Sequence, residues 1–276
     1  MKTSKYKLLS IPYTVWIMLL VFIPMIALVV LGFTDMTSNI SFSNVHFTFE
    51  NFDMFGERSI TTAFSNSLTY AALTTLISFV IGYLLAYIIY QSKFNNKFAI
   101  MTIMILPMWS NLILRIDALA NIMNENNILV ELIGFSPLGG LIGTPTGILI
   151  GMVFTYVPFM ILPIYTALEK IDPSLNQASS DLGLTPLKTF LYVTFPLSFK
   201  GVVTGAIMVF LPTFSGFAIP KILSKGNMVF LGNIIETKFN YTIFNDGALL
   251  SASMLLIIFL AILLIRKFDK EGETLL

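Results

Sequence analysis

The sequence predicts an all-α, polytopic membrane protein with six transmembrane helices. Hydrophobic residues make up 56% of the 276 positions and charged residues only 11%, whereas an average soluble domain carries roughly 25% charged residues. The apolar residues also fall in six long runs separated by short polar segments. A water-soluble globule of this size cannot hide so much apolar surface, because its charged side chains must coat the outside. The same composition excludes disorder. The net charge of +1 leaves no footprint for nucleic acid. Cysteine is absent, which excludes disulfides, Cys-based metal sites and a thiol nucleophile. The single histidine, His46, argues against a His-ligated metal site.

A membrane helix needs about 20 mostly apolar residues. Six stretches qualify: 11–33, 63–90, 98–123, 146–168, 201–223 and 247–265. The first follows Lys2, Lys5 and Lys7, as a signal peptide would. Its apolar run is longer than the usual h-region of about 7–15 residues, and no small-residue cleavage site follows, so it is read as a retained helix.

The basic residues set the expected orientation. With the N-terminus inside, the inner segments hold Lys2, Lys5, Lys7, Lys93, Lys97, Lys170, Lys188, Lys200, Arg266, Lys267 and Lys270. The outer segments hold only Arg58, Lys221, Lys225 and Lys238. Both termini are therefore expected in the cytoplasm. The first outer loop is long, and its alternating stretch 40–50 suits a short strand or an extended segment. The second outer loop has an apolar middle, 128–133, that suits a short interfacial helix.

The only sizeable inner loop spans 169–200. It contains two helix starts of the same chemistry: Asp172 before Pro173, and Thr185 before Pro186. Gly183 falls where the first helix should end, in the position that favours a left-handed residue. The expectation is a helix–turn–helix between two spans, with Leu175, Ala178, Ser179 and Leu182 on one face of the first helix. Such a face lets another protein approach the backbone closely.

Within the spans, Pro107, Pro158, Pro163, Pro212 and Pro220 each favour a kink. Pro107 is grouped with Trp109, Ser110 and Asn111. A broken helix exposes backbone polar groups, which are tolerated only where they are buried in protein or line a cavity. Arg115 and Asp117 are the only full charges in the third span, and ionisable residues in a membrane default to a functional hypothesis. Two positions apart on a helix, they point to different faces.

The inner loop resembles the EAA loop of ABC-importer permeases, whose pattern is Glu-Ala-Ala, three residues, Gly, nine residues, Ile-x-Leu-Pro. Gln177, Ala178 and Ser179 stand at the triplet, Gly183 at the glycine, Val193 at the isoleucine, and Phe195 and Pro196 at the Leu-Pro. Asp181 and Leu182 lie between. Gln177 departs from the family glutamate and can supply only a neutral hydrogen bond. The element Leu106-Pro107-Met108-Trp109-Ser110-Asn111, with Ile113 to Ile116 after it, and the run from Tyr156 to Ile171 resemble the B-type permease of spermidine/putrescine importers.

The resemblance implies the MetI-like type I importer fold. It divides the chain into an N-terminal helix and loop (1–62), an ABC transmembrane core (63–266) containing the coupling loop 169–200, and a tail (267–276). It implies a bacterial cell membrane location and a polyamine as cargo. The implied partners are an ABC ATPase subunit dimer, a second related permease, an extracytoplasmic polyamine-binding protein and the lipid bilayer. No cofactor is expected in the chain itself. The segment from Gly183 to Thr189 lacks the second glycine before Lys188 that a P-loop needs, so ATP is left to the partner subunits and the chain is not an enzyme.

A polyamine is a flexible cation with an apolar backbone, suited to carboxylates and aromatic faces. Candidate path residues are Trp109, Asn111, Asp117, Tyr156, Phe159, Phe214 and Phe217, with Arg115 as an anchor at the outer mouth. The alternatives are an ABC permease for a different solute (a metal, an anion or a phosphonate), an ion-coupled secondary transporter, or an intramembrane enzyme. The scarcity of acids and histidine within the spans argues against the last two.

Overall fold

The computed structural model describes residues 11–35 and 46–268, with side chains described up to position 263. Lys2, Lys5, Lys7, Lys270, the 40–45 part of the alternating stretch and the tail beyond 268 lie outside the described residues, as do the side chains of Arg266 and Lys267. Eleven helices are used below: α1 Ile11–Gly32, α2 Arg58–Gln91, α3 Lys97–Ile105, α4 Leu112–Met123, α5 Ile128–Ile133, α6 Pro145–Glu169, α7 Pro173–Asp181, α8 Pro186–Ser215, α9 Ala218–Leu223, α10 Leu231–Asn240 and α11 Phe244–Phe268. The chain divides into two compact units, Met1–Thr62 with Ile234–Phe259, and Ala63–Asn233 with Leu260–Leu276.

In the first unit, α1 is apolar on every side, and Trp16, Leu20, Ile23, Ile26 and Val30 are all exposed. That is the pattern of a helix solvated by lipid rather than by protein. Just past its end the backbone of 33–35 pairs antiparallel with 46–48: Asp35 N–H donates to the His46 carbonyl at 3.2 Å and Thr48 N–H to the Phe33 carbonyl at 3.0 Å. The described end of the alternating stretch is thus extended. A 3₁₀ segment, Glu50–Gly56, follows. The Asn51 amide donates to the carbonyls of Gly32 (3.0 Å) and Thr34 (2.8 Å), satisfying groups that α1 leaves open. A Cβ on Gly32 would lie 3.0 Å from the Leu249 Cα, so glycine is what lets the end of α1 touch α11. Lys238 and Asp246 pair at 2.7 Å between α10 and α11.

In the second unit, α6 is the central helix. Half of its apolar window is buried, against 6% for α1. Thr144 caps it by accepting the Gly147 N–H at 3.1 Å, with Pro145 as its first residue. Helix α8 crosses α6 closely through Gly201 and Gly205. A Cβ at Gly201 would stand 2.5 Å from the Pro163 carbonyl oxygen, and one at Gly205 would stand 2.6 Å from the Met160 sulfur. Small residues four apart are the usual way membrane helices approach, since lipid supplies no hydrophobic drive between them. On the α2 side, Tyr83 hydrogen-bonds Ser198 of α8 at 2.7 Å, inside a cluster of Tyr87, Phe190 and Phe195 rings.

Two of the expected spans differ in detail. The third is broken: α3, extended by the 3₁₀ turn Leu106–Trp109, meets α4 at a bend of 92°. Among the described residues, five helices are long and apolar enough to cross a membrane, and the count reaches the expected six when the bent pair is taken as one span. The fifth span, expected at 201–223, is instead the helix Pro186–Ser215. It stops at Gly216, whose N–H donates to the Pro212 carbonyl at 2.9 Å, and α9 is a separate short helix. Pro220 therefore lies in α9 and not within a span. The second helix of the expected helix–turn–helix is the first part of the long α8. A π-helical turn at Phe190–Thr194 precedes Pro196. Widening the helix there moves the Tyr192 carbonyl away from a proline ring that has no N–H to offer it.

Candidate functional site

Two places in the second unit gather the residues singled out from the sequence. One is the segment between α6 and α8. The Asp172 carboxylate accepts the Ser174 N–H at 2.9 Å and starts α7. That N–H, and then the Ser174 hydroxyl, hold the Asp172 carboxyl below the usual carboxylate range. At the other end Gly183 has φ +77°. Its N–H donates to the Ser180 carbonyl at 2.9 Å, and the Leu184 N–H donates to the Ser179 carbonyl at 3.0 Å. These two bonds form a Schellman closure, which only a residue at ease in the left-handed region completes without strain. Thr185 then caps α8 by accepting the Lys188 N–H at 3.4 Å.

This short helix is fastened on one side and open on the other. Ser179, buried, hydrogen-bonds Thr189 of α8 at 2.9 Å and the Asn176 carbonyl at 2.8 Å. Asn176 reaches the Tyr90 hydroxyl of α2 at 3.5 Å, a long contact. The expected face therefore needs one correction: Ser179 belongs to the attached side and is not presented. Leu175, Gln177, Ala178, Asp181 and Leu182 are exposed, and Leu182 is 82% exposed. Val193 sits in the π turn, Phe195 packs on Tyr83 with centroids 5.5 Å apart, and Pro196 is exposed at the start of the regular helix. The spaced pattern thus builds one object, a capped helix and the bent helix start that holds it.

The other place is the broken third span. Ser110 and Asn111 are extended, and the Asn111 side chain caps α4 by accepting the N–H groups of Ile113 (2.9 Å) and Leu114 (3.3 Å). The Pro107 carbonyl, at the break, accepts from the Ser110 N–H at 3.3 Å, from the Ser110 hydroxyl at 2.7 Å and from the Arg115 guanidinium. Arg115 is a staple across the bend, and its buried Nε finds no partner among the described residues. Asp117 is exposed on α4 and has no ion-pair partner among the described residues. Trp109 is 87% exposed at the apex of the bend.

Beside the bend lies a cavity of about 210 Å³ between α4, α6 and the α8–α9 junction. Leu112, Met152, Tyr156, Thr213, Phe217 and Pro220 are among its lining residues. The Tyr156 hydroxyl donates to the Pro212 carbonyl at 3.4 Å, which turns its ring toward this space. Phe159 packs against Tyr156 in a tilted contact, with centroids 6.0 Å apart. Among the described residues, no acid lines the cavity. The structure therefore brings Tyr156 and Phe217 together and leaves Asp117 and Trp109 outside their cavity. Phe214 is fully buried between Phe64 and Phe210. It packs among these rings and does not line the cavity, which helical spacing alone could not reveal. Sequence reasoning missed the Gly216–Phe217 junction that forms one wall. The available signal was Pro212 four residues before Gly216.

Known proteins supply the comparison. No family model matches the chain. It is 28% identical over 270 residues to the spermidine/putrescine transport system permease protein PotB of Salmonella typhimurium (strain SL1344), covering 95% of this chain and 93% of that one. It is 28% identical over 230 residues to PotB of Escherichia coli (strain K12), covering 81% of this chain and 82% of that one. A chain in the crystal structure of a bacterial alginate ABC transporter, in complex with an alginate pentasaccharide-bound periplasmic protein, superposes with a TM-score of 0.77 at 14% identity. That match covers 98% of this chain and 95% of the other, and it shows the fold.

Proposed function

From a chain that resembles spermidine/putrescine permeases over most of its length and carries the fold of an ABC-importer permease, we propose that it is the permease subunit of an ATP-driven polyamine importer. It supplies half of the translocation path, residues 63–266 forming the transporter core, and it is not itself the ATPase. Both termini lie in the cytoplasm, so α7 projects inward. The observation that carries this reading is α7 itself, a short helix capped at both ends and anchored through Ser179 to the start of a membrane span. Its open face, with Leu175, Ala178 and Leu182, is apolar and small enough to seat in a cleft on an ATPase subunit.

In this mechanism an extracytoplasmic binding protein delivers the polyamine to the outer loops. Closure of two ATPase subunits on ATP moves α7 as a rigid knob. Because Ser179 and Thr189 join α7 to α8, and α8 crosses α6 at Gly201 and Gly205 without room to slide, that motion passes to the spans lining the cavity. The bend at Pro107 to Asn111 and the α8–α9 junction are the places where the path changes shape. A second, related permease completes the pathway. The cation meets the ring faces of Tyr156 and Phe217 and nearby carbonyl oxygens, which attract an ammonium without requiring a carboxylate.

The cavity's lack of an acid favours one second reading, an ABC permease for a different solute. Reconstituting the chain with its ATPase subunits, second permease and binding protein in proteoliposomes tests both. The expected result is uptake of labelled putrescine or spermidine that requires ATP and the binding protein. ATP-dependent uptake of another solute in place of polyamines supports the second reading, and uptake driven by an ion gradient without ATP overturns both.

A further inference from the structure

An aromatic patch on the α1–α2 connection has no role in the mechanism above. The inference drawn from it rests only on α1 crossing a membrane. Positions 11–34 contain no charged residue, and Asp35 is the first. The 22 residues of α1 rise about 33 Å, against a hydrocarbon thickness of about 30 Å. Gly32 therefore marks the hydrocarbon boundary on that side.

The following segment cannot leave this depth, because it is bonded to the end of the helix. The Thr48 N–H donates to the Phe33 carbonyl, and the Asn51 amide donates to the carbonyls of Gly32 and Thr34. Phe33, in turn, contacts Phe49 (centroids 5.8 Å) and Phe52 (5.4 Å). Yet Phe47 and Phe49 are 76% and 74% exposed, and Phe52 is exposed as well. Rings held at the boundary of a bilayer and not covered by protein face lipid. The acids Glu50 and Asp53 alternate with them along the segment and are exposed too, so the segment is amphipathic across its width.

We propose that Phe47, Phe49 and Phe52 form an interfacial foot, lying in the headgroup–acyl boundary of the leaflet on the α1–α2 side, with Glu50 and Asp53 turned to water. The foot fixes the height and tilt of α1, a helix that its own unit covers poorly. In the proposed orientation this is the outer leaflet.

The absence of cysteine makes the test direct. Single variants Phe49→Cys, Phe52→Cys and Asp53→Cys are made in the full chain, reconstituted with its partner subunits in liposomes, and labelled with a nitroxide. Collision with oxygen, which partitions into lipid, is compared with collision with a water-soluble nickel complex. The expected result is a several-fold higher oxygen-to-nickel ratio at 49 and 52 than at 53. Equal ratios at all three, with nickel dominant, place the patch in water and overturn the proposal. Protection of 49 and 52 from both reagents means that protein covers them, and overturns it equally. Transport activity enters neither outcome, so failure here leaves the importer reading standing.

Discussion

Replacing Gly201 by alanine tests the contact through which α8 is proposed to pass motion to α6. The added Cβ would sit 2.5 Å from the Pro163 carbonyl oxygen, 2.7 Å from the Ala167 Cβ and 3.0 Å from the Ile164 Cα. A relaxed carbon–oxygen contact needs about 3.3–3.6 Å, so the helices must part by about 1 Å. Two of the three obstacles are backbone atoms that cannot rotate away. Overpacking of this kind costs about 1–3 kcal/mol. At about 2–4 °C per kcal/mol for a chain of this size, Gly201→Ala should lower the midpoint of thermal unfolding by roughly 2–12 °C. The assay is retention of the monodisperse complex after stepwise heating. Gly205→Ala should cost less, because its nearest obstacle at 2.6 Å is the Met160 thioether, a flexible side-chain end, although Met160 backbone atoms stand at 3.2 Å. Adding Ala167→Gly to Gly201→Ala should recover part of the loss, because the carbonyl clash remains. A Gly201→Ala complex that melts with the parent, or an inverted order of the two glycines, would refute the close-crossing argument.

Three further outcomes follow from the same geometry. Arg115→Met removes the guanidinium from the Pro107 carbonyl and should broaden the distance distribution between spin labels at Ile103 and Asn121, on either side of the bend; an unchanged distribution would mean that Arg115 does not staple it. Phe217→Ala removes a ring face worth about 0.5–2 kcal/mol to a cation, so the KM for polyamine uptake should rise about two- to thirty-fold, while Asp117→Asn, exposed and outside the cavity, should leave it within about twofold; the reverse ranking would put the carboxylate in the path. The depressed Asp172 carboxyl stabilises the start of α7 fully above the unfolded carboxylate pKa and loses that contribution as pH falls through its lower folded value. Hydrogen-exchange protection at Ser174 should therefore hold from neutral pH into the carboxylate range and drop below it; Asp172→Asn, which keeps an acceptor, should abolish that drop.

What the sequence disclosed divides along a physical line. Local chemistry was legible. Asp172, Thr185 and Gly183 act on N–H and C=O groups within four residues, and each is found in its expected role. The short helix at 128–133 was legible from its apolar run, and the break after Pro107 from the proline itself. What required partners distant in sequence was not. Nothing near Phe214 says that Phe64 lies against it, and nothing near Ser179 says that its hydroxyl pairs with that of Thr189. The fifth span was misplaced because hydropathy cannot separate an apolar helix from the apolar junction that follows it. The close crossing at Gly201 and Gly205 was visible only as two glycines four apart, and its meaning came from the helix opposite.

In the proposed mechanism α7 is the part gripped by the ATP-hydrolysing machinery. A photo-crosslinking amino acid in place of Leu182, which stands 82% exposed at the tip of α7, tests it in the assembled transporter. The expected result is one dominant crosslink, to the ATPase subunit, whose yield changes when ATP is replaced by ADP. Crosslinking only to lipid or to no subunit, with the complex intact and turning over ATP, would contradict it.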